Sequence, residues 1–113
     1  MAKWRNANCY GYAIRDDDWW LMPGDYSDVG SLMAEHPEWK PVRKQDMRLG
    51  KEYIAYRYGL SDFHFMRRDT KGHWRHKRGS LRAAPISTKD VFASIWYNGP
   101  HLYTSKVYLF EVL

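Results

Sequence analysis

The sequence predicts an α+β domain in which two or three short helices pack on an antiparallel sheet of about four strands. Three observations predict it. Aromatic residues make up 17 % of the chain, with six Trp and nine Tyr, and large rings favour half-buried strands and a ring-rich core. The clearest β-hairpin signal lies mid-chain, between Asp62 and Ser80. Short segments with helical caps stand before and after it. With 113 residues the chain is read as one domain, 1–113, large enough for a single core.

The hairpin organises the rest. Phe63, His64, Phe65 and Met66 are bulky and extended, and Trp74 opens the return strand. Asp69-Thr70-Lys71-Gly72 has Asp at the first and Gly at the fourth position of a type I turn. A left-handed Gly72 then makes a G1 bulge, with Asp69 facing His73. In that register Arg68 faces Trp74, Met66 faces His76, and His64 faces Arg78. His64 and His76 therefore share one face as diagonal neighbours. A two-residue loop would place them on opposite faces.

Upstream, Asn8 is an N-cap for a helix whose positions 9, 10, 12, 13 and 14 are apolar or aromatic. Cys9 sits in its first turn, and Gly11 costs that helix about 1 kcal/mol relative to Ala. Asp16-Asp17-Asp18 reads as a solvated charge run, since the alternating oxygen ligands and the glutamate of a calcium loop are missing. Residues 27–36 form a second helix capped by Ser27, with Val29, Leu32 and Met33 as its stripe and Pro37 as its stop. Residues 37–50 read as a loop and Glu52 to Tyr58 as a strand. Residues 79–89 read as a further loop, and Asp90 to Trp96 as a short helix capped by Ser87 or Thr88. Asn98-Gly99-Pro100 is a turn, and Val107 to Leu113 is a buried central strand.

No run of ~20 apolar residues exists, which argues against a membrane partner. The first residues lack the apolar stretch of a secretory signal, so the expected location is cytoplasmic, with release by lysis or a dedicated secretion route left open. The single cysteine excludes an internal disulfide and a multi-cysteine zinc site. The net charge of +5 and pI of 9.4 suit an anionic partner. Scattered surface charge is the plainer explanation of the same numbers.

Cys9 is the sharpest chemical feature. The positive end of a helix favours a thiolate, and its free N–H groups can hold the oxyanion formed when that thiolate attacks a carbonyl. A thiol nucleophile needs a base and the base an orienting partner. His64 is the candidate base, and His76 the candidate third residue, with Asp62 as its rival. Asn8 joins the backbone N–H of Cys9 as a candidate oxyanion donor. Taken singly, a lone Cys is more often a buried hydrophobe, and a His between two Phe a satisfied core residue. The pattern of helix Cys, strand His and polar residue on the next strand lifts the catalytic reading.

That order resembles the papain-like superfamily of cysteine hydrolases, most of all its compact NlpC/P60 and CHAP branch. The run Asp62-Phe63-His64-Phe65 through Arg67, Asp69, Gly72, Trp74, His76-Lys77 and Gly79 is also similar to a motif in uncharacterised bacterial and phage proteins. Those proteins pair it with an upstream block present here as Asn8 to Ala13. The resemblance covers under a third of the chain. It implies a papain-like domain that cuts or transfers amide bonds in peptidoglycan peptides or a protein, without a cofactor. It also implies Cys9 as nucleophile, His64 as general base and His76 as third residue. Hydrolysis, transfer and deamidation share those groups.

Two other constellations compete. A three-histidine metal site is not expected, because His73 and His76 point to opposite faces of one strand. The basic and aromatic mix of Arg67, Arg68, Trp74, Arg75 and Lys77 suits a non-catalytic module binding nucleic acid or an acidic host protein, with phosphates on the cations and bases on the rings.

Overall fold

The computed structural model describes residues 8–15, 28–59, 62–78, 81–98 and 101–113. The expected Ser27 cap and the Asp16-Asp17-Asp18 run lie outside them.

The chain is an α+β fold. Helix α1 (Cys9–Ile14) starts at Asn8, whose Oδ1 accepts the Gly11 N–H at 2.8 Å. It ends at Arg15, which takes a left-handed φ of 62°. Helix α2 (Val29–Glu35) is capped by Asp28, whose carboxylate accepts the Ser31 N–H. The strands are β1 (Trp39–Pro41), β2 (Glu52–Tyr58), β3 (Phe63–Arg68), β4 (Trp74–His76), β5 (Ala84–Pro85), β6 (Trp96–Asn98), β7 (His101–Tyr103) and β8 (Tyr108–Val112). Helix α3 (Thr88–Val91) is one turn capped by Ser87.

The main sheet has six antiparallel strands in the order β1-β8-β2-β3-β4-β5, two more than expected. The extra two, β1 and β5, are short edge strands, each ending in a proline, inside segments read as loops. Proline lacks the N–H a central strand needs, so it marks edges. A second correction concerns Trp96, which opens β6 rather than closing a helix. The helix expected over Asp90 to Trp96 is only the single turn of α3, starting at Thr88. Strands β6 and β7 form a separate two-stranded hairpin.

The register of the central hairpin is the expected one. Met66 pairs with His76 and Arg68 with Trp74. Gly72 has φ of +89°, and the Asp69 N–H donates to the His73 carbonyl at 3.0 Å. The Asp69 Oδ1 accepts the N–H groups of Lys71 and His73, both at 2.9 Å, which closes the turn.

The sheet divides the core in two. On one face Cys9, Tyr10, Ala13, Leu32, Trp39, Ile54, Tyr56, Phe63, Phe65 and Phe110 pack with α1 and α2. On the other, Tyr53, Ala55, Met66, Trp74, Val91 and Leu109 pack with α3. Strand β2 is buried on both faces from Tyr53 to Arg57, as expected of a strand covered on both sides. Strand β8 lies between β1 and β2, which explains its apolar composition.

Candidate functional site

Alternation along β3 decides where each candidate side chain goes. Phe63 and Phe65 face α1, in the cluster that holds Cys9. Met66 faces α3. His64 lies between the two Phe, so its ring points to the face away from α1, against Trp96 at 4.8 Å and Tyr103 at 6.0 Å between centroids.

The two imidazoles meet. His64 Nε2 and His76 Nδ1 are 2.9 Å apart with their rings edge to face. His64 is 1 % exposed and His76 6 %. Burial, the second ring and the charges of Arg78 and Arg57 hold His64 well below the usual imidazole range. Burial, then Arg78, brings His76 down to about 4. Both rings are therefore neutral near pH 7, joined by one N–H···N bond.

Arg57 completes this cluster. It pairs with His64 in the β2–β3 ladder and so shares its face. It is fully buried and gives long hydrogen bonds of 3.3–3.4 Å to the carbonyls of Val91, Ser94 and Tyr103. Among the described residues its Nε has no acceptor. Tyr103 also donates its hydroxyl to the Asp62 carboxylate at 2.6 Å. Asp62, proposed as the rival third residue, is thus held by a tyrosine, while His76 contacts His64.

Cys9 stands elsewhere. Its thiol is enclosed by the apolar cluster under α1, and burial pushes it up to about 12, with the charge of Asp62 adding to the rise. Backbone groups of Phe65, Tyr10 and Cys9 itself act in the opposite sense without offsetting it. The thiol and the imidazoles lie on opposite faces of β3. Helix α1 is indeed packed on the strand that carries His64, but the strand places the ring on its far side. Asn8, 3 % exposed, spends its side-chain oxygen on the helix cap.

The candidate binding set also divides. Arg67 is a buried clamp: Nη1 donates to the Ala13 carbonyl at 2.6 Å and Nη2 lies 3.1 Å from Glu52. Trp74 is 3 % exposed, edge-on to Phe92 at 6.0 Å. Lys77 is 2 % exposed. All three are corrections to the expected surface: α1 covers Arg67 and the α3 layer covers Trp74, while Lys77 is buried as well. Arg68 lies half-buried over the Tyr53 ring, and Arg75 is exposed, giving one bond to the Ala83 carbonyl. An open cleft of about 440 Å³ runs between the hairpin turn and residues 85–88, with His73 and Arg75 on its wall.

Arg57, Trp96 and Tyr103 were not singled out from the sequence. The signal for Arg57 was present, as a cation inside a strand of aromatic residues. Its pairing with His64 follows once Gly59 to Asp62 is read as a four-residue connection. Trp96 and Tyr103 reach the cluster only through the tertiary fold. No group of three or more metal-ligating side chains forms among the described residues, and His73 sits at the exposed turn, 3.7 Å from Asp69. No described helix is long and apolar enough to cross a membrane.

No family model, no curated protein and no solved structure matches the chain.

Proposed function

We propose that the chain is a non-catalytic binding module that docks an anionic macromolecule on the β3–β4 hairpin and the segment after it. One observation carries this reading. Between Asp62 and Lys89 stand eight Lys and Arg against two Asp, and both Asp are engaged internally, Asp62 by Tyr103 and Asp69 by its own turn. Of the eight, Lys71, Arg75, Arg78, Arg82 and Lys89 are exposed. Trp74 is buried and offers no face for a base, so the surface works through charge. An acidic protein or a nucleic-acid backbone meets that requirement.

Fluorescence anisotropy of a labelled DNA duplex and of an acidic polypeptide, across a salt series, tests the proposal. Tight binding of one probe at low salt is expected, falling linearly in log–log form. Replacing Arg75, Arg78 and Arg82 by Glu should weaken it at least tenfold and flatten the salt slope. No binding of either probe at low salt, or no effect of the triple change, overturns the reading.

A second reading is a papain-like cysteine hydrolase or transferase acting on peptidoglycan peptides or a protein. What favours it is the His64–His76 hydrogen bond, a base with its orienting partner, on a strand against which the Cys9 helix packs. What weighs against it is the strand between sulfur and ring. A Cys9→Ala protein assayed for peptidoglycan or peptide cleavage separates the two readings. Activity in the native protein that vanishes in the variant selects the hydrolase.

A further inference from the structure

The β6–β7 hairpin is docked over the imidazole pair through Trp96 and Tyr103. Gly59 bridges Tyr103, and a Cβ at Gly59 would lie 1.9 Å from the Leu102 carbonyl oxygen. Arg57 donates to the Tyr103 carbonyl, and the Tyr103 hydroxyl reaches Asp62. Trp96 lies on both imidazoles, 4.8 Å from His64 and 5.7 Å from His76, and packs on Tyr103 at 5.3 Å. Among the described residues the hairpin shares no other ladder with the six-stranded sheet.

We propose that this hairpin is an acid-released flap, held shut by the neutral His64–His76 pair and let go when the pair takes up a proton. Among the described residues, the charges acting on the pair are Arg57 from β2 and Arg78 beyond β4, while Tyr103 from β7 is in ring contact with His64 and holds Asp62, before β3, by its hydroxyl. Both charges are cations, and the Asp62 carboxylate is already engaged. A proton added to either ring is therefore buried beside like charge with no acid aimed at it. With the flap lifted, water reaches the rings and they regain their ordinary affinity for protons.

Linkage gives the sign. The closed form holds His76 at about 4, and the open form returns it to 6.5. Each pH unit below 6.5 thus favours opening up to tenfold per ring, and for His76 the effect saturates below about 4. For His76 alone the full span is 2.5 units, roughly 300-fold. The flap does not depend on the anion-binding reading: Arg78 is common to both, but the imidazole pair, Arg57, Trp96 and Tyr103 lie outside the exposed basic surface.

Amide hydrogen exchange read by mass spectrometry, between pH 7.5 and 4 and corrected for intrinsic rates, tests it. Peptides covering 101–105 should lose protection as the pH falls, while those covering β2 keep theirs. In His76→Asn, whose amide oxygen can accept from His64 Nε2 without titrating, the loss should shrink at least tenfold. An NMR titration of the His76 ring in the native chain gives an independent measure, with a midpoint between 4 and 6.5 expected. Simultaneous loss of protection in both segments, an unchanged transition in His76→Asn, or a midpoint at or above 6.5 overturns the proposal.

Discussion

Cys9 and His64 lie on opposite faces of β3, the thiol among the apolar side chains beneath α1 and the imidazole against Trp96. A one-residue step along a strand is a change of face, so the alternation that puts Phe63 and Phe65 beneath α1 turns the His64 ring away from it.

The first prediction follows from that burial. A thiol raised from 9.0 to about 12 carries roughly a thousandfold less thiolate near neutral pH. Native protein should react with iodoacetamide over many hours, at the same rate in His64→Ala, and fast only in denaturant. Mass spectrometry of a labelling time course reads this. Modification within minutes, lost in His64→Ala, would restore the hydrolase.

Arg67 carries the second prediction. Its guanidinium ties the last turn of α1 to β3 through the Ala13 carbonyl and meets Glu52 on β2. Arg67→Ala leaves a helix carbonyl and a carboxylate without their cation, at a cost of about 2–4 kcal/mol. Glu52→Gln should cost about 1 kcal/mol or less, because Glu52 is 37 % exposed and water can replace part of the contact. Urea midpoints give both values. Equal losses would mean that the ion pair, rather than the bond to Ala13, dominates.

How much of this was legible follows from the range of each signal. The hairpin register was readable because Gly72 and Asp69 fix it locally, and with it the shared face of His64 and His76. Asn8 as a cap and β2 as a strand were readable for the same reason. The separation of Cys9 from His64 was not. Alternation places His64 opposite Phe63 and Phe65, but which face α1 covers is decided by packing across fifty residues of sequence. The basic set was misjudged for a related reason: Arg67 and Trp74 look like surface residues until α1 and the α3 layer are in place.

Gly59 provides the third prediction. Its N–H donates to the Asp62 carbonyl at 2.8 Å, and its missing side chain admits the Leu102 carbonyl. Gly59→Ala forces a backbone clash that only displacement of the β6–β7 hairpin relieves, costing about 2 kcal/mol or more. Gly50→Ala is the control: φ there is +87°, but nothing lies within 4 Å of the added carbon. That change should cost about 1 kcal/mol through backbone strain alone. Thermal midpoints of the two variants should differ accordingly, with faster amide exchange at 101–105 only in Gly59→Ala.

Acid stability is the fourth prediction, and its sign rests on two kinds of group. The unfolded chain binds protons at His64 and His76 with an ordinary affinity near 6.5, while the fold holds both lower. Their contribution is fully present above pH 6.5; that of His76 is lost as the pH falls toward about 4, and that of His64 falls away in the same direction. For His76 this amounts to about 2 kcal/mol, discounted from the 2.5-unit span for its coupling to the neighbouring ring. Asp69 acts lower on the scale. The N–H groups of His73 and Lys71 hold its carboxylate below 3.8, so its smaller contribution disappears only below that pH. Urea midpoints should therefore fall in two steps, a larger one between pH 6.5 and 4 and a smaller one beneath. His76→Asn should flatten the upper step and leave the lower one, whereas Asp69→Ala should do the reverse. A single step below pH 4 in the native protein would mean that the imidazoles titrate alike in the folded and unfolded chains.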